Sequence, residues 1–204
     1  MFPARLHAGP HNARRQTARP PRQHRSGHPG QIRRKADEEL SLRNAQSKAP
    51  GPALARIDVS RFRIGIIRGE YNPKITMSLE KKCVETLLAS GIPKKNIRNF
   101  AVPGCFEIPI LAQRLATQKK YDALIALGAV IKGDTYHFEL VVNECARGIM
   151  DVSLRHDIPV IFEVLATYNE RDAARRAGNN KFNKGIEAAQ TALCLLAALS
   201  NARG

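Results

Sequence analysis

From Ile57 onward the chain alternates short runs of β-branched and apolar residues with longer stretches whose apolar positions recur at helical spacing, whereas residues 1–56 carry neither period. "FRIGIIRG" (Phe62–Gly69) reads as a first strand. The helix predicted over "ITMSLEKKCVETLLAS" (Ile75–Ser90) presents Leu79, Val84, Leu87 and Leu88 as its apolar face and stops at Gly91. "NIRNFAVPG" (Asn96–Gly104) is a second strand, and "FEIPILAQRLATQKK" (Phe106–Lys120) a second helix that tolerates Pro109 only near its first turn. "YDALIALGAVI" (Tyr121–Ile131) is so apolar that it should be a central strand covered on both faces. A helix from about Tyr136 to His156, a strand "PVIFEVLAT" (Pro159–Thr167), and helices over Asn169–Ala177 and Lys184–Leu199 complete the pattern.

Strand and helix in alternation, four times over, imply an α/β fold with a parallel sheet, right-handed crossovers and helices on both faces. In such a sheet ligands bind beyond the carboxyl ends of the strands, so the segments just after each strand are where chemistry is expected.

Four segments qualify. After the first strand comes Tyr71, an aromatic able to stack on a planar ring or to cover the sheet edge. After the second, in "VPGCFEIP", Gly104 permits close backbone approach and Glu107 falls in the first helical turn, where it either complements the helix dipole or accepts hydrogen bonds from a ligand's hydroxyls. After the third, Gly133, Asp134 and Thr135 precede a helix whose free N–H groups make an anion site, although Asp134 or Thr135 can equally be an ordinary cap. His137 stands in that same first turn, where the positive end of the dipole disfavours its protonated form and leaves an imidazole able to accept a proton. In the fourth strand Phe162 is a ring-stacking or core residue, and beyond it Arg175, Arg176, Lys181 and Lys184 form a cationic loop around Gly178 and Gly185.

Taken in order, "VPGCFEIP", "ALGAVIKGDTYHF", Asn143–Glu144, "PVIFEVLAT" and "RAGNNKFNKG" resemble the lumazine synthase family over about Phe62 to Leu199. The resemblance implies a flavodoxin-like three-layer α/β/α fold with a four-stranded parallel sheet. It implies condensation of 5-amino-6-(D-ribitylamino)uracil with 3,4-dihydroxy-2-butanone 4-phosphate, with release of phosphate and water and no cofactor or metal. Carried onto matching positions, Tyr71 stacks on the pyrimidine. Gly104, Cys105, Phe106, Glu107 and Ile108, with Ala129, Val130 and Ile131, bind the uracil and ribityl groups. Gly133, Asp134, Thr135 and Arg176 hold phosphate, His137 is the acid/base group, and Phe162 and Lys184 complete the pocket. The chain departs from the family's usual residues at Tyr71, Cys105, Glu163 and Asn180.

The resemblance also implies pockets between neighbouring subunits of a pentamer. The short "AGNNKFNKG" connection favours assembly of twelve pentamers into a 60-subunit shell. A competing reading is a module that holds a flavin-like ring without turnover, against which His137 and Arg176 both argue.

Composition adds the partition of the chain. A domain of about 150 residues buries roughly 70% of its unfolded surface, enough for one core. No run of 18 apolar residues and no secretory signal is present, so a cytoplasmic protein without a membrane span is expected. Cys83, Cys105, Cys145 and Cys194 lack Cys-x-x-Cys spacing and read as small core residues rather than a disulfide framework or zinc site. Of the formal charge of +15, residues 1–56 hold +9, with 12 Lys and Arg against 3 Asp and Glu. This extension has seven of the twelve prolines and a single aromatic, Phe2, so it should not fold by itself, apart from a short helix around "ADEELSLRNAQSK". Its readings are a solvated extension, a contact for nucleic acid, or an organelle-targeting peptide. The expected domains are therefore 1–56 and 57–204.

Overall fold

The computed structural model describes residues 57–202, and the expectations for residues 1–56 lie outside the described residues. Four parallel strands, β1 (Ile64–Gly69), β2 (Ile97–Val102), β3 (Ala123–Ile131) and β4 (Val160–Thr167), form one sheet in the order β2-β1-β3-β4. The helices are α1 (Pro73–Ala89), α2 (Ile108–Thr117), α3 (His137–His156), α4 (Glu170–Arg176) and α5 (Lys184–Ala202). This is the three-layer α/β/α arrangement that the sequence pattern implies, and β3 is interior as its composition demands.

Alternate residues of the sheet feed two cores. Ile64, Ile66, Ile125, Ile161 and Leu165 join α1, α4 and α5 through Leu79, Cys83, Leu87, Ala173 and Leu193. Ile67, Leu124, Ala126 and Val164 join α2 and α3 through Ile108, Ala112, Cys145 and Ile149. Each fully buried Leu or Ile contributes about 1.5–3 kcal/mol relative to exposure, and β3, buried from Ala123 to Ala129, is the strand both cores share.

Helix α1 ends as its sequence indicates. Gly91 takes φ +100°, its N–H donates to Leu88 O at 3.0 Å, and Ile92 N–H donates to Leu87 O at 3.1 Å, which satisfies two terminal carbonyls and tucks Ile92 into the core. The buried face of α1 is Ile75, Leu79, Cys83 and Leu87, an unbroken i, i+4 ridge. Val84 is half-buried and packs against this core, but Leu88 is turned to solvent, a correction to the expected face: one step along a helix rotates a side chain by 100°, away from a seam centred on Leu87. Against α1 lies the start of α5, where a Cβ on Gly185 would meet Leu79 O at 2.1 Å. Only glycine lets the two backbones come this close.

Cys83, Cys105 and Cys145 are buried as expected, but Cys194 is exposed on the outer face of α5. It follows Leu193, which points into the core, so its own side chain is carried outward. No helix among the described residues is long and apolar enough to cross a membrane.

Candidate active site

Parallel strands deliver their carboxyl ends to one edge of the sheet, and there the loops after β1 and β2, the end of β3 and the start of α3 surround a cavity of about 530 Å³. Tyr71 projects from the loop after β1 and is 72% exposed. Its ring lies against Gly104, in the loop after β2, where an added Cβ would come within 3.2 Å of the ring and 3.0 Å of Glu107 Oε2. The missing side chain at Gly104 is thus what brings aromatic face and carboxylate together. Cys105 and Phe106 continue this wall, Phe106 largely exposed and Cys105 buried at its base.

The back of the cavity is Ala129, Val130 and Ile131, the end of β3. Two lining residues escaped the sequence reading. Asn72 adopts the left-handed conformation (φ 57°) that asparagine tolerates, and its side-chain amide donates to Ala129 O at 3.0 Å, tying the first loop to β3 and occupying that carbonyl. The pairing of Asn72 with Pro73 at a helix start was the available signal. Val141 lines the floor because it follows His137 by four residues on the same face of α3.

His137 is the first residue of α3, exposed, and reaches the cavity. The helix starts without any side-chain cap: Tyr136 holds the cap position, and Asp134 and Thr135 lie outside it in exposed backbone. The capping role considered for Asp134 or Thr135 is therefore corrected, and no N-cap side chain accepts from the first-turn N–H groups of α3. Asp134 does not pair with Lys132 either. Lys132 Nζ bonds Glu139 Oε1 at 2.6 Å and sits 5.7 and 5.6 Å from the ring centroids of Phe138 and Tyr168. The hydrogen bond and charge pairing raise the lysine's pKa and lower the glutamate's. Gly133 is open, with nothing within 4 Å of a Cβ built there.

Burial pushes the Cys105 thiol up to about 11 and, with Cys105 and Glu107 nearby, the Cys145 thiol up to about 12. Neither is a thiolate near neutrality.

Seven expected residues stand apart from this cavity: Gly133, Asp134 and Thr135, in the exposed loop before α3, and Ile108, Phe162, Arg176 and Lys184. Ile108 is fully buried in the core beneath α2, so its side chain faces away from any ligand. Phe162 lies mid-strand in β4 opposite Ala126 and is 39% exposed. Arg176 ends α4, where its Nη1 donates to Asp172 O at 3.1 Å, and Lys184 begins α5 bonded to Glu187. None of these last three lines the cavity of its own chain. Among the described residues no group of three His, Cys, Asp or Glu is placed to hold a metal.

Residues 61–200 match the 6,7-dimethyl-8-ribityllumazine synthase family. The chain belongs to that family. Its relatives include the 6,7-dimethyl-8-ribityllumazine synthases of Cytophaga hutchinsonii, 50% identical over 133 residues (65% of this chain, 84% of the relative), and of Paracidovorax citrulli, 45% identical over 138 residues (68% and 87%). That of Ruthia magnifica is 44% identical over 143 residues, covering 68% of this chain and 86% of the relative. The match contains every element of the sheet and every residue of the cavity, and it excludes the basic extension.

Glu163 is half-buried on β4 and lies outside the cavity. Burial raises its carboxyl to about 7, with Lys184 opposing and Glu187 reinforcing the shift. The folded pKa lies above the unfolded one, so its stabilising contribution is complete below about pH 4.5 and is lost as pH rises through about 7. Glu163→Gln, which cannot ionise, should melt close to the parent at pH 5 and above it at pH 8; a melting difference that does not grow with pH would show that Glu163 is not held neutral.

Proposed function

We propose that this transferase of riboflavin biosynthesis condenses 5-amino-6-(D-ribitylamino)uracil with 3,4-dihydroxy-2-butanone 4-phosphate at sites built from two neighbouring copies, in a pentamer that closes into a 60-subunit shell. One observation carries the shared site. The cavity assembles Tyr71, Gly104, Glu107, Ile131 and His137 from one chain, while Phe162, Arg176 and Lys184 lie away from it, on parts of the surface that a neighbour can present. Exposed apolar side chains at Met77, Ile110, Leu140, Met150 and Leu154 support burial of this surface against other copies, since monomers rarely leave so much apolar area in water.

The substrates supply a nucleophilic amine and a carbonyl, so the protein has to align them and move protons. The Tyr71 ring stacks on the pyrimidine and Glu107 accepts hydrogen bonds from the ribityl hydroxyls. The uncapped first turn of α3, with Gly133 and Thr135 beside it and Arg176 from the neighbour, holds the phosphate and stabilises its departure. His137 accepts a proton as the amine adds to the carbonyl and returns one as water leaves. Asp134 turns its carboxylate away from the phosphate. The same chain without turnover would be a flavin-like binder, but a proton-handling histidine beside an anion site has no purpose there.

His137→Ala should lower kcat by roughly 10²–10⁴ with little change in KM for the pyrimidine, the magnitude of a lost general acid/base. Arg176→Ala should instead raise KM for the phosphorylated substrate. A loss below about threefold for His137→Ala would mean that alignment carries the reaction and the imidazole is peripheral. The assembly is read from native mass: sixty chains of 22.6 kDa are expected, and a particle of five would remove the shell while leaving the shared site standing.

A further inference from the structure

The amino ends of the same parallel strands gather at the opposite edge of the sheet, where a second cavity of about 450 Å³ opens. Its cations come from three separate places: Arg63 just before β1, Lys95 and Arg98 around the start of β2, and Lys120 in the turn from α2 to β3. No acidic side chain lines it. The nearest carboxylate, Asp122, accepts the Arg63 backbone N–H at 2.7 Å and lies 3.6 Å from Arg63 Nε, so it serves the strand start more than the cleft. Lys95, Arg98 and Lys120 have no carboxylate partner among the described residues.

A solvated basic face is the ordinary account of such a group, and Lys120 alone fits it, because cations are favoured near the carboxyl end of a helix such as α2. That account does not reach Arg63, Lys95 and Arg98, which belong to other elements. Nor does it explain the floor. Phe100 and Tyr121 lie there half-buried, edge to face with ring centroids 6.1 Å apart, between the cationic walls. Phe100 follows Arg98 by two residues on β2 and therefore shares its face of the sheet. The result is a concave site in which Lys95, Arg98 and Lys120, unpaired with any carboxylate among the described residues, and Arg63, paired with Asp122, surround an apolar base.

We propose that this cleft binds a phosphorylated small molecule of nucleotide size, its phosphates on Arg63, Lys95, Arg98 and Lys120 and its ring or sugar over Phe100 and Tyr121. Guanidinium forks and ammonium groups match phosphate oxygens, and the volume lies within the range that holds one small ligand. A nucleic-acid strand would need a groove tracking several nucleotides, whereas a cleft of about 450 Å³ has room for one small ligand. The site lies at the edge of the sheet away from the catalytic cavity, and none of its residues lines that cavity.

The test is calorimetric titration of the full chain with ADP. Binding should be seen with the parent and with Arg176→Ala, should weaken about tenfold or more in Arg98→Ala/Lys120→Ala, and should be absent for adenosine. The double variant should keep the parent's rate of lumazine formation, which shows that it folds and assembles. ADP binding that survives the double substitution or disappears in Arg176→Ala, absence of binding by the parent at about 1 mM, or retention of polyadenylate without ADP would each overturn the proposal.

Discussion

Everything in this molecule depends on the parallel alignment of four strands around β3. Because all strands run the same way, their carboxyl ends reach one edge of the sheet together and their amino ends reach the other. The burial of β3 between two cores fixes that alignment, since a one-residue slip would exchange Leu124 and Ile125 between the two faces. Hydrogen bonds then pin each edge: Asn72 to Ala129 at the catalytic side, and Arg63 with Asp122 at the other. The cavity with His137 and the cationic cleft with Arg98 are thus two consequences of one topology.

The same topology underlies the proposal that a single chain holds only part of a site. The loops after β1, β2 and β3 converge, but β4 is an edge strand, and Phe162 together with the segment from Arg176 to Lys184 falls away from the convergence. In the proposed assembly a neighbouring copy would supply the missing wall without any change of fold. This division also accounts for the exposure of Tyr71 and Phe106, which are rings presented for contact rather than packed within their own domain.

Much of this was legible in the sequence. The strands announce themselves because a buried parallel strand must be apolar on both faces, as in Ala123–Ile131, and Gly91 marks a helix end because few other residues accept its φ. The strand-end positions then locate Tyr71, Gly104, Glu107 and His137. Details set by tertiary packing were not legible. Which face of α1 is buried depends on where α5 approaches at Gly185, so Cys83 replaces Leu88, and Cys194 turns outward for a similar reason. The role of Asn72 depends on a carbonyl 57 positions away, and the partner of Lys132 is Glu139, seven positions on, rather than the nearer Asp134. The cationic cleft was invisible for the same reason: its four charges are scattered through the chain until the sheet's amino edge collects them.

Sharing of the site between copies is the central claim, and complementation tests it most directly. Chains carrying His137→Ala and chains carrying Arg176→Ala, each nearly inactive when assayed below saturation with the phosphorylated substrate, are co-expressed and purified as one assembly. Random mixing places an intact His137 cavity beside an intact Arg176 at about one junction in four, so roughly a quarter of the parent's activity should return. Activity no greater than that of the two variants kept apart would place His137 and Arg176 in the same chain's site and contradict the account.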